Sequence, residues 1–457
     1  MQSFNDCWWF KDLNKIIMIK ETKDLKNLAD YCVKKSKIYG ATGCGVYVGN
    51  NISETVNFRN KKIENSDRSD ILLINITTYV GKKKSISSFT YIDKNNTDKM
   101  IEKCVDVTKL LPEDEYNVLP DKDWLAKETE DLLQFDDTDI NNQKKIEYLK
   151  SVEEAALSNA FIIKTNGSSF SQAKNNFVLA NSKGFLSGFK KSKFSSYTDL
   201  VAKKNDSGME RDYEYDAKSY FKDLINPNKL GNSAAKLTIR KLNPQKVKTQ
   251  SIPIVFEKRI SKNILSILSS SISGASFARG TSFLKEKMNK KIFPDSINII
   301  DDPLIKKSLY SSPFDSEGVR SQKINLVKNG FLNNIVLNTY YAKMLNINSN
   351  GRSDGLTNTY FEPGKISYKN LFNDYKKVIL VTDIMGSFGN PTTGDFSCGA
   401  TGIYFENNES YPINNFTLAG KIEDIFKNIV LVNDLEFKYA KNCPTALIQE
   451  GLVVGGV

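Results

Sequence analysis

From residue 324 to the end, the chain carries its large apolar residues in short runs: Ile324–Val327, Phe331–Leu337, Val378–Thr382, Gly402–Phe405 and Leu447–Val454, separated by Gly, Asn and Pro. Runs of four to eight residues closed by turn formers are strand signals, because a buried helix needs a longer periodic stretch. Beyond residue 240, one helical pattern, Ile264, Leu265, Leu268 and Ile272, precedes the series. The spacing predicts a β-rich second domain, and with no 20–50 residue repeat in view, solenoids and propellers are set aside.

The first half reads differently. Leu25, Leu28, Ala29, Cys32 and Val33 recur at helical spacing within residues 22–38, and a short strand pattern follows at Val46–Val48. Ile71–Val80 and Lys84–Ile92 flank Gly81-Lys82-Lys83 as a hairpin, and helical patterns return at 96–111 and 144–160. Strands are expected around Asn181–Phe185 and over 195–203, so this half mixes helix and strand. Between Asp223 and Ser251 the composition turns to Asn, Pro, Gly and Lys with few large apolar residues, which predicts a connection. The expected fold class is therefore α+β, divided into an N-terminal extension (1–21), a mixed α/β domain (22–240) and a β-rich C-terminal domain (241–457).

Histidine is absent from all 457 residues. The chain therefore lacks the imidazole required by a Ser-His-Asp triad, a Cys-His dyad or a histidine-ligated zinc site. The six cysteines stand apart without a C-x-x-C pair, so reduced thiols and a cytoplasmic chain are expected. The opening residues lack the unbroken apolar core of a signal peptide, and no run reaches the ~18 residues of a membrane span. The formal charge of +11 is spread over scattered clusters such as Lys61-Lys62, Lys82–Lys84 and Lys190–Lys193, a poor match to a nucleic-acid surface.

The densest unusual stretch, Gly386–Gly402, holds five glycines in seventeen residues. Its glycines permit turns and bulges or the close approach of another backbone. It matches neither a phosphate-binding P-loop nor a dinucleotide fingerprint. Asp315 and Glu317, two residues apart in Ser311–Arg320, could share a hard cation or simply build a turn. Ser282–Lys285 and Ser187–Lys190 have S-x-x-K spacing without its accompanying elements. Cys398 is a lone cysteine with no base partner evident in the sequence.

Four ordered blocks carry a resemblance: Gly274 to Arg279–Leu284, Ser311–Val319, Asn390–Ser397 with Gly399 and Gly402, and Pro412 to Thr417–Gly420. Pro444-Thr445 with Val453–Gly456, Asn181–Phe185 and Met209–Tyr213 add to it. In these blocks the chain resembles the TldD/PmbA family of cytoplasmic zinc-dependent peptidases, on the side of its PmbA, or TldE, subunits. The resemblance implies a mixed α/β domain followed by a barrel-like β domain, and pairing with a zinc-bearing TldD-like subunit. In TldD-type chains an H-E-x-x-x-H helix holds zinc; an ungapped match places those positions on Ser266–Ser271, so Ser266, Ile267 and Ser271 stand where two ligands and a base would be. The implied cofactor of this chain is none, with zinc expected in the partner. Gly389, Asn390, Gly394, Asp395, Ser397 and Gly399 are the expected peptide-binding or assembly residues; no catalytic residue is assigned. Two departures stand out: Cys398 where relatives commonly have a basic residue, and Lys421 where they commonly have asparagine.

The function expected is that of a subunit that lacks the H-E-x-x-x-H zinc motif and completes the chamber of a zinc-bearing partner, in a metalloprotease that acts on unfolded or precursor peptides. The alternatives are a noncatalytic binding or modulator protein, and an autonomous hydrolase using carboxylates or Cys398.

Overall fold

The computed structural model describes residues 19–205, 208–372, 375–407 and 409–456. Most of the expected N-terminal extension, with Cys7, lies outside the described residues. The chain forms two units: the first runs through Glu113 and resumes over Leu133–Leu242, and the second comprises Asp114–Leu132 and Asn243–Val457.

In the first unit, helix α1 (Thr22–Ile38) buries Leu25, Ala29, Cys32 and Val33, the stripe that its periodicity predicts. Strands β1 (Gly43–Arg59), β2 (Lys62–Val80) and β3 (Lys83–Thr90) follow, and β2–β3 is the expected hairpin. Helix α2 (Lys94–Leu110) starts where the Asp93 carboxylate accepts the Asn96 N–H at 2.7 Å. Helix α3 (Asn142–Leu157), strands β4 (Ile162–Asn181), β5 (Leu186–Ala202) and β6 (Glu210–Lys218), and helix α4 (Pro227–Ile239) complete the unit. The six strands form one antiparallel sheet in the order β3-β2-β1-β4-β5-β6. Inward residues at alternate positions, Val46, Val48, Ile74, Ile76 and Val178, pack against α1 and Ile101 of α2.

Helix α4 corrects the expectation of a plain connection over 223–251. Asn226 caps it by accepting the Asn228 N–H at 3.0 Å, and Pro227 opens its first turn. Its buried side is Leu230, Gly231, Ala234, Ala235 and Thr238. Gly231 lets the two helices touch: a Cβ there would lie 2.3 Å from Val152 O of α3. The small residues that suggested a linker are the packing surface.

The second unit contains β7 (Ile254–Phe256), α5 (Lys258–Ser271), α6 (Gly274–Ala278), β8 (Ile299–Asp301), β9 (Ile324–Lys328) and β10 (Phe331–Leu332). Next come α7 (Thr339–Met344), β11 (Thr359–Phe361), β12 (Lys377–Met385), β13 (Asp395–Glu406), β14 (Glu409–Lys421) and α8 (Ile422–Lys427). It ends with β15 (Ile429–Leu431), β16 (Lys441–Asn442), β17 (Ala446–Ile448) and β18 (Leu452–Gly455). A seven-stranded sheet, β15-β17-β7-β12-β13-β14-β18, and a five-stranded one, β10-β9-β8-β11-β16, enclose a core that includes Ile264, Leu268, Ile299, Leu326, Val381 and Leu418. The fold class is α+β, with 24% helix and 38% strand among the described residues and sheets curled as half-barrels.

Residues 114–132 are the part of the chain whose place contiguity does not predict. Ala126 N donates to Gly318 O at 3.0 Å, Arg320 N to Trp124 O at 2.9 Å, and Lys343 pairs with Asp121 at 2.5 Å. This stretch has almost no regular structure of its own and takes its shape from the second unit.

Candidate functional site

The glycine-rich stretch is only half a loop. Residues 386–394 connect β12 to β13, whereas Asp395 onward is strand, paired with β14 as Asp395↔Lys421, Ser397↔Ala419 and Gly399↔Thr417. The turn closes on itself: Asn390 N donates to Asp395 O at 2.8 Å, and Gly394 N donates to Asn390 O at 2.9 Å. Gly389 and Gly394 have φ of 132° and 75°, in the region that L side chains rarely adopt.

Most polar groups expected to meet a peptide serve this turn. Asn390 Oδ1 accepts the Thr392 N–H at 2.9 Å. Asp395 accepts from Thr393 Oγ1 at 2.6 Å and pairs with Lys421, and the Lys421 ammonium holds the exposed carboxyl below the usual carboxylate range. Lys421, one of the family departures, thus has a definite partner. Ser397 is different: it is exposed, and its hydroxyl has no hydrogen-bond partner among the described residues. With Gly399, Thr417 and Ala419 it lines a face of small residues, bordered by Met385 on β12 and Val453 on β18, which are 52% and 46% exposed. Such a face can seat an extended chain.

On the opposite face of β13, Cys398 is 4% exposed and burial pushes its thiol up to about 11. The thiolate is scarce near neutral pH, so this cysteine is not an activated nucleophile. Asp315 and Glu317 do not converge on a cation. Asp315 accepts the N–H groups of Glu317, Val319 and Ser353 at 2.9–3.0 Å, while Glu317 Oε2 accepts Thr339 N and Oγ1 at 2.8 and 2.6 Å. Ser282 Oγ accepts the Leu284 N–H at 2.9 Å, and Lys190 lies 3.5 Å from Glu21.

Ser266, Ile267 and Ser271 all lie on α5. Ser271 Oγ donates to Ile267 O at 2.8 Å, Ile267 is buried in the core, and Ser266 Oγ reaches Lys262 O at 3.5 Å. Zinc prefers thiolate, imidazole and carboxylate, so two carbonyl-bound hydroxyls and an aliphatic chain do not fit it. No group of three metal-ligating side chains occurs among the described residues. What stands beside Ser266 instead is basic: Lys441 Nζ is 3.4 Å from Ser266 Oγ, and Lys262 Nζ is 3.8 Å from the centre of the Tyr439 ring. Burial lowers both lysines, with Arg259 and Lys438 adding to the effect at Lys262. In a chain with 64 Lys and Arg, no spacing singles these two out.

Comparison with known proteins bears on the whole chain. Residues 135–242 match the family pattern described as the PmbA/TldA metallopeptidase central domain, and residues 249–456 match its C-terminal domain. A relative from Haemophilus influenzae, named as a metalloprotease PmbA homolog, is 31% identical over 95% of this chain and 97% of its own length. Among solved structures, a candidate modulator of DNA gyrase from Bacteroides thetaiotaomicron superposes with a TM-score of 0.90 at 26% identity, covering 96% of this chain and 100% of that one. TldE from Thermococcus kodakarensis shares the fold, with a TM-score of 0.80 at 19% identity, covering 95% of this chain and 100% of that one. No helix among the described residues is long and apolar enough to cross a membrane. By the length and identity of these matches, the chain belongs to the PmbA/TldD family of metallopeptidases.

Proposed function

We propose that this chain is the PmbA/TldE-type subunit of a cytoplasmic two-subunit metalloprotease, in which a TldD-like partner supplies the zinc and this chain helps to form the peptide chamber. The observation that carries the reading is the state of α5 within a metallopeptidase family: its Ser266, Ile267 and Ser271 offer zinc no suitable donors. The exposed face around Ser397 and the turn at 389–395 would seat or orient unfolded or precursor peptides, or meet the partner. An extended peptide held through its main chain is recognised with little dependence on sequence.

Co-purification from the native source followed by metal analysis of the separated subunits tests this. The isolated chain, after mild chelation, is expected to hold no stoichiometric zinc and to cleave no peptide, with activity returning when the zinc-bearing partner is added. Tight one-to-one zinc with activity in the homogeneous chain would defeat the reading. The autonomous-hydrolase alternative loses its best residue, since Cys398 is buried and protonated near neutral pH.

A further inference from the structure

Residues 123–130 and the segment 304–321, both in the second unit, border a cavity of about 600 Å³, within the range of small-molecule sites. The main chain fixes its wall at two points. Leu125 pairs with Val319 as an antiparallel bridge and Arg320 N donates to Trp124 O at 2.9 Å, while further on Lys307 N donates to Leu132 O at 2.8 Å. Residues 127–131 therefore arch between two anchors. The arch brings Lys127, Glu128 and Glu130 to the cavity that Asp123 and Arg320 also line. All of these residues are exposed, and none of their side chains makes a hydrogen bond or ion pair among the described residues. A single surface charge needs no partner, since water serves it. Charges of both signs around one cavity, unsatisfied by each other, are free to pair with a molecule that itself carries both signs.

We propose that this cavity binds a short peptide with both ends free, its carboxylate at Arg320 and Lys127 and its ammonium among Asp123, Glu128 and Glu130. The guanidinium fork matches the two oxygens of a carboxylate. Leu125, Leu304 and Pro313, which also line the cavity, take an aliphatic side chain out of water. A polyamine would be repelled by Arg320 and Lys127, and an inorganic anion by the carboxylates, whereas a zwitterion with an apolar body meets every group. The site shares no residue with the face around Ser397 and does not depend on the proposed peptidase role.

Calorimetric titration of the full chain with alanyl-leucine tests the site. The dipeptide is expected to bind one to one, and its N-acetyl and C-terminal amide derivatives about tenfold more weakly, the loss of one charged hydrogen bond. Arg320→Gln should weaken the dipeptide about tenfold and leave the amide unaffected, because the amide has already lost the carboxylate. Glu128→Gln combined with Glu130→Gln should also weaken the dipeptide but spare its N-acetyl form. Should Arg320→Gln lower the melting temperature, the glutamate pair carries the test, because those side chains hold no other described residue in place. No binding of alanyl-leucine, equal binding of the blocked forms, tighter binding of putrescine, or an undiminished affinity in the glutamate variant would each overturn the assignment. Turnover with a zinc-bearing partner plays no part in this titration, so the site can stand where the peptidase reading fails, and the reverse.

Discussion

At Asp315, burial opposes a set of hydrogen bonds. Burial first, and then the neighbouring Glu317 and Asp354 carboxylates, push this side chain up to about 7, although three backbone N–H groups point at it. A carboxyl held above its unfolded value near 3.9 binds its proton more tightly in the folded chain, so the associated stability is present below pH ~4 and is lost as pH rises through about 7. The full swing is at most on the order of 4 kcal/mol. Urea midpoints should therefore fall between pH 5 and 8, and Asp315→Asn should flatten that slope. An unchanged slope in the variant would assign the titration to another group.

At the scale of elements, α3 and α4 present opposing effects of one substitution. In a free-standing helix, Gly→Ala stabilises by about 1 kcal/mol through backbone entropy. At Gly231 the added Cβ would meet Val152 O at 2.3 Å and Ala156 N at 2.9 Å, both backbone atoms that move only if the helices separate. Overpacking of this kind costs about 1–3 kcal/mol, so it outweighs the helix preference, and Gly231→Ala is expected to lower the melting temperature. A raised melting temperature would mean that the helices separate without cost. The same helix shows what the sequence left hidden. Elements with large apolar residues at regular spacing, such as α1 and the β2–β3 hairpin, were legible, because burial follows the period. α4 was not, because Gly231, Ala234 and Ala235 bury little surface and signal close packing only once α3 is beside them. Likewise Asp395–Gly402 read as loop because glycine obscured the alternation of Phe396, Cys398 and Ala400 toward the core. In the site, family blocks pointed to the 389–399 stretch, but its internal hydrogen bonds and the Asp395–Lys421 pair depend on a register that no local pattern encodes.

For the whole molecule, the question is whether the small-residue face and its turn serve only the fold. Asp395 and Lys421 are both more than half exposed, so their attraction is screened by water and removing it should leave the folded chain nearly as stable as before. Asp395→Ala also keeps the strand backbone, because position 395 is ordinary extended chain, whereas a substitution at Gly389 or Gly394 would mix strain with function. The alanine variant, combined with a TldD-like partner, is expected to keep its melting temperature while losing complex formation or peptide turnover. Thr393→Val serves as the control: it removes the 2.6 Å bond to Asp395 but leaves the carboxylate and Lys421 in place, so pairing and turnover should stay near the parent level. If Asp395→Ala pairs and turns over peptide normally, the turn is structural and the peptide-handling role must lie elsewhere on the chain. If the isolated variant unfolds instead, Asp395 supports the β13–β14 pairing, and its assignment to assembly fails at that residue.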